Sequence, residues 1–86
     1  MDYKDITCYD SNRNVVPLKS LQYREGYTLT DLFYAVKDAS DFDDIIERVN
    51  KVICLVFVEE KRKENSILLK SGDIFLKVRL KTPLNM

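Results

Sequence analysis

Apolar residues change their spacing along this chain, and the changes mark its elements. Residues 3–9 alternate, with Ile6 and Cys8 on one face, and predict a first strand. Asp10, Ser11, Asn12, Arg13 and Asn14 form a turn cluster. Val15, Val16 and Leu18 then make a short strand. Pro17 places it at an edge, because proline donates no hydrogen bond to a ladder. The first 18 residues predict a hairpin.

The spacing then turns helical. Thr28 is a candidate N-cap, with Asp31 three residues on to complete a capping box. Leu29, Leu32, Phe33 and Val36 follow as one stripe, and Asp38-Ala39 breaks the run. Ser40 reads as a second N-cap with Asp43 at its third helical position. Phe42, Ile45, Ile46 and Val49 make the second stripe, and Asn50 reads as its terminator. Two helices of roughly 9–10 residues are too short to persist alone, so both must pack on a sheet.

From Lys51 to Val58 the chain is nearly all apolar and β-branched, which predicts a strand buried on both faces. Residues 59–65 predict a charged, exposed loop. Ile67–Lys70 and Ile74–Lys81 predict a hairpin about Ser71-Gly72. Ile74, Leu76, Val78 and Leu80 point one way, and Phe75, Lys77, Arg79 and Lys81 the other. Pro83 ends the strand. The expected fold is a small single α+β domain over residues 1–86: an N-terminal β-hairpin, two short consecutive helices, a buried strand and a C-terminal β-hairpin. Residues 1–22 read as a hairpin extension and residues 23–82 as the core.

Composition narrows the functions available. A chain of 86 residues buries only about 60–65% of its unfolded surface, so it gains from a partner. Its 45% hydrophobic and 33% charged content fits a folded globular chain. No stretch approaches the roughly 20 apolar residues of a membrane span. Met1-Asp2-Tyr3-Lys4-Asp5 is polar, and a secretory leader is not expected. Cys8 and Cys54 each sit in an apolar run and read as reduced, buried, small hydrophobes. With no histidine and no Cys-x-x-Cys, the usual zinc ligand sets cannot be assembled within one chain, and neither metal nor cofactor is expected.

The formal net charge is zero but unevenly spread. Residues 1–50 carry six basic and ten acidic side chains, and residues 51–86 carry eight and four. Such a dipolar chain suits head-to-tail or heterotypic association. It does not suit a nucleic-acid binder, for which a strongly basic domain is expected.

Three clusters are candidates for function. Asp38, Asp41, Asp43, Asp44 and Glu47 lie about the start of the second helix, where acids favour the positive end of the dipole. Asp41 and Asp44 are also candidates for a partner-facing acidic patch. Phe75, Lys77, Arg79 and Lys81, with Lys70 nearby, read as the solvent face of an edge hairpin, where lysines deter edge pairing. The same residues offer a protein contact, or a track for a phosphate backbone with Phe75 stacking on a base. Five tyrosines, Tyr3, Tyr9, Tyr23, Tyr27 and Tyr34, fall in the first 34 residues. Tyrosine is enriched at interfaces, and Tyr9, Tyr23 and Tyr27 are the candidate contacts. No nucleophile has a histidine base beside it, so no enzyme is expected.

Residues 23–80 resemble the LysM module. Gly26, Thr28, Leu29 and Leu32 match its opening, Ile45, Ile46 and Asn50 its second helix, and Leu69 and Gly72 its closing turn. Small proteins with such a module occur in bacteriophage tails and baseplates as structural adaptors. The resemblance implies a non-enzymatic component of a virion, assembled in the host cytoplasm, whose partners are other structural proteins. The hairpin, the Thr28–Leu32 helix start and the Leu69–Ile74 turn also resemble the β-grasp, or ubiquitin-like, fold. Thr82-Pro83-Leu84-Asn85-Met86 carries no Gly-Gly tail, so that resemblance implies a free cytoplasmic binding module that regulates a host protein, not a conjugated modifier. Nucleic-acid binding through the basic last strand is the third expectation. Neither a membrane nor a small molecule is an expected partner.

Overall fold

The computed structural model describes residues 4–80, the side chain of residue 62 excepted. The expected α+β domain is what these residues form. Strands β1 (Lys4–Tyr9) and β2 (Val15–Val16) are followed by helices α1 (Leu29–Lys37) and α2 (Phe42–Val52). Strands β3 (Phe57–Lys61), β4 (Ser66–Ser71) and β5 (Ile74–Leu80) complete the order. The five strands form one antiparallel sheet in the order β2-β1-β5-β4-β3.

Local chemistry sets the corners. In the β1–β2 turn, Asp10 Oδ1 accepts from the backbone N–H groups of Asn12 and Asn14, each at 2.9 Å. Those amides hold its carboxyl below the usual aspartate range, the Asn14 amide most strongly. Residues Arg24 to Tyr27 form a turn closed by the Tyr27 N–H on the Arg24 carbonyl, with Gly26 at φ +90°. A side chain would resist that conformation. Gly72 at φ +60° opens the two-residue β4–β5 loop, as a type II′ turn requires.

Thr28 caps α1 as expected: its N–H donates to Asp31 Oδ2 at 2.9 Å. The second cap falls one residue later than the sequence suggests. Asp41, not Ser40, is the N-cap of α2, and its Oδ1 accepts from the Asp44 N–H at 2.8 Å. Asp44 in turn accepts from the Ser40 N–H at 2.9 Å. Aspartate and serine are comparable N-caps; here the Asp41 carboxylate takes the first-turn amide while Ser40 gives its own N–H to Asp44. Asn50 does not end the helix. The stripe Phe42, Ile45 and Val49 continues to Val52, and all four are buried. Asn50 Oδ1 instead accepts the Leu55 N–H at 3.2 Å, which fixes the exit from α2.

The buried strand expected over 51–58 is therefore corrected. Lys51 and Val52 complete α2, Ile53 is buried beyond it, and Cys54, Val56 and Phe57 are exposed. The strand starts at Phe57 and runs through Glu59 and Glu60, which pair with Leu68 and Ile67. β3 pairs only with β4, and an edge position tolerates those charges where a central strand would not. Cys54, expected to be buried, is exposed; Cys8 is buried, and both are free thiols. The C-terminal hairpin is also not at an edge. β5 is the middle strand, flanked by β1 and β4, because the first strand adds along its far side.

One core lies between the helices and one face of the sheet. Leu32, Val36, Ile45, Val49 and Ile53 meet Cys8, Ile67, Leu69, Leu76 and Val78, all essentially fully buried. The stripe expected on α1 is rotated: Leu32, Ala35 and Val36 face the core, whereas Phe33 is 58% exposed. Lys4 Nζ ties β1 to the end of α1, donating to the Ala39 carbonyl at 2.6 Å. A cation there complements the negative end of the helix.

Candidate functional site

The helices cover one face of the sheet, and the other is uncovered among the described residues. Its composition follows from strand register. Cys8 pairs with Leu76 and Leu76 with Leu69, so that row belongs to the core face. The neighbouring row, one residue along each strand, must point the opposite way. That row is Val15, Tyr9, Phe75, Lys70 and Phe57, in direct cross-strand register over all five strands. Two further rows lie beside it: Thr7, Lys77, Leu68 and Glu59, then Asp5, Arg79, Ser66 and Lys61.

This face joins an aromatic row to two rows of mixed charge that carry Lys77, Arg79 and Lys61. Tyr9 and Phe75 are half-buried, as neighbours on a pleated surface are, and Phe57 is 50% exposed. Lys70 Nζ lies 5.5 Å from the centre of the Phe75 ring, in cation–π range. Lys61 and Glu59 form an ion pair at 3.6 Å. Lys77 and Arg79 form no ion pair among the described residues. With Asp5, Thr7 and Tyr9 they line a shallow groove of about 180 Å³. Among the described residues the balance on the face is four cations, Lys61, Lys70, Lys77 and Arg79, against Asp5 and Glu59.

Four of the residues singled out from the sequence, Tyr9, Phe75, Lys77 and Arg79, meet here. Lys81 lies outside the described residues. Tyr23 is elsewhere: its ring packs against the core, and its hydroxyl donates to the Leu18 carbonyl at 2.9 Å. Burial raises its pKa. Tyr27 and Asp44 line a groove of about 390 Å³ between α1 and α2, on the opposite side of the molecule. Asp44 is engaged by the Ser40 amide, which chiefly lowers its pKa, and by Arg48 Nε at 3.0 Å. Asp41 is engaged as the α2 cap.

Val15, Phe57, Leu68 and Lys61 were missed as members of the sheet face. Nothing in their own segments marks them; only the pairing of distant strands puts them beside Phe75. A third groove, about 670 Å³, runs past Tyr23, Cys54, Val56 and Ile74 at the end of the sheet. Among the described residues no group of three Cys, Asp or Glu side chains is placed to hold a metal ion. No described helix is long and apolar enough to cross a membrane.

No protein-family model matches the chain, nor does any curated protein or solved structure.

Proposed function

We propose that this chain is a non-enzymatic adaptor that works by protein–protein contact, with the open sheet face as its docking surface. The observation that carries the reading is the row Val15, Tyr9, Phe75, Lys70 and Phe57, in register across five strands. Aromatic anchors supply much of the binding energy of protein interfaces, and rim charges set register and specificity. Here the aromatics sit in one row and Lys77 and Arg79 flank it. The partner is a surface with apolar and acidic groups. The resemblance to the LysM module supplies the setting: a structural subunit of a large particle such as a phage tail or baseplate.

The same face bears some likeness to single-strand nucleic-acid platforms, which combine stacking aromatics with a basic groove. Two features favour protein. Lys70 already lies over the Phe75 ring that a base would stack on, and Asp5 and Glu59 interrupt the basic surface.

The test is incorporation into a large particle. Wild-type chain and the Tyr9→Ala and Phe75→Ala variants are expressed in the cells that make the protein, and sedimented particles are quantified by mass spectrometry. The adaptor reading expects a constant ratio of wild type to the other structural proteins and loss of both variants. Wild type confined to the soluble fraction would falsify it. Binding of a single-stranded oligonucleotide that weakens steeply with salt and needs Lys77 and Arg79 would replace it with the nucleic-acid reading.

A further inference from the structure

We infer that the acidic helix layer of a second copy of this chain docks on the open sheet face, stacking copies head to tail. This rests on the reading of the sheet face as a docking surface and names its occupant.

The two broad sides of the molecule are of opposite sign. The helical segments carry Asp31, Asp43, Asp44 and Glu47, with Asp38 and Asp41 at their caps, against Lys37, Arg48 and Lys51. That is a net charge of −3. Among the described residues the sheet face carries a net +2. Internal pairing among the described residues engages only some of these charges. Arg48 is committed to Asp44, and Lys37 Nζ lies 5.7 Å from the centre of the Tyr34 ring. Asp38, Asp43 and Glu47 form no ion pair among the described residues, and neither do Lys77 and Arg79 on the other side.

Both sides also offer aromatic area. Tyr27 and Tyr34, 42% and 53% exposed, line the interhelical groove together with Asp38 and Glu47. Opposite them, Tyr9 and Phe75 lie beside Lys77 and Arg79. An acidic-aromatic side and a basic-aromatic side are complementary to each other. Neither is complementary to itself, so like-to-like pairing would juxtapose like charges.

Geometry permits the contact. The domain measures 38 × 28 × 19 Å, a slab whose thin dimension fits one helix layer on one sheet. A broad side of that footprint can bury the roughly 800 Å² per partner that standard interfaces use. The two interacting surfaces are different patches on opposite sides of one chain. Such an interface does not close as a two-fold dimer; it propagates to a ring or a stack.

The test is sedimentation velocity on the full chain from micromolar to millimolar concentration, at low and at raised salt. The stacking account expects the average mass to rise past that of a dimer with concentration and to fall with salt. Two double variants separate the surfaces, Lys77→Ser with Arg79→Ser, and Asp38→Ser with Glu47→Ser. None of the four side chains lies in the core, and Asp38, the C-cap of α1, bonds there through its backbone N–H, which serine keeps; circular dichroism confirms that each variant is folded. Each alone should weaken self-association by roughly tenfold or more. Mixed in equal amounts they should form a one-to-one dimer and nothing larger, because each supplies one intact side. A wild-type chain that stays monomeric throughout, an assembly that stops at a dimer, or a mixture that stays monomeric overturns the inference. A monomeric chain that still co-sediments with a particle at constant ratio leaves the adaptor reading standing and removes only the stacking.

Discussion

Phe75 and Leu76 are neighbours on the central strand, and replacing each by alanine should have very different costs. Leu76 is fully buried, in contact with the core between helices and sheet. Removing a buried leucine side chain costs about 2–5 kcal/mol. The whole domain, at 86 residues, is stable by roughly 4–13 kcal/mol if ordinary per-residue values hold. Leu76→Ala therefore removes a large share of it. Phe75 points to the uncovered face. Its loss forfeits a cation–π contact with Lys70 of about 0.5–1 kcal/mol and a cross-strand pair with Tyr9 of about 0.2–1 kcal/mol. The expected cost of Phe75→Ala is thus about 1–2 kcal/mol. Urea unfolding followed by circular dichroism measures both, provided the slope m is unchanged between variants. The adaptor reading adds a second column: Phe75→Ala abolishes particle incorporation while the domain stays folded. If Phe75→Ala costs as much stability as Leu76→Ala, the outer face is covered rather than open, and the reasoning fails.

Three further outcomes follow from local geometry. Asp41→Ala removes the α2 cap and should cost about 0.5–2 kcal/mol in the same urea assay, with Ser40→Ala costing less. Asp44 has a folded-state pKa below the usual 3.8, so its carboxylate contributes stability that is present above that value. The contribution is lost as pH falls through the depressed folded value. The stability gap between wild type and Asp44→Asn should accordingly close between neutral pH and strong acid, and a gap that widens there would reverse the assignment. At mildly alkaline pH a chromogenic disulfide reagent should titrate one thiol fast and one only on unfolding. Cys54 is exposed, whereas burial pushes the Cys8 thiol up to about 11; Cys54→Ser should remove the fast phase.

Much of the fold was legible because local chemistry decides it. The β1–β2 hairpin, the Thr28–Asp31 cap, the turn at Gly72 and the alternation on β5 each depend on residues close in sequence. The misread segment, residues 51–61, shows where that stops. Lys51-Val52 prolongs the Phe42, Ile45 and Val49 stripe by one more turn, but the same residues also begin a β-branched run, and periodicity alone does not divide them. Glu59 and Glu60 look like loop, yet strand pairing to Leu68 and Ile67 overrides their low strand propensity. The candidate site was legible only in part. Alternation gave Phe75, Lys77 and Arg79 a common face, whereas its union with Tyr9, Val15 and Phe57 depends on which strands are neighbours. Tyr23 was singled out for its residue type, and its hydroxyl turns out to serve the Leu18 carbonyl instead.

The most direct test of the central claim is to quantify, by mass spectrometry, wild type and Phe75→Ala in large particles sedimented from the same cells. The account predicts that the wild-type chain appears at a constant ratio to the structural proteins and that the folded variant remains in the soluble fraction. Equal incorporation of the variant, or wild type found only in the soluble fraction, would contradict it.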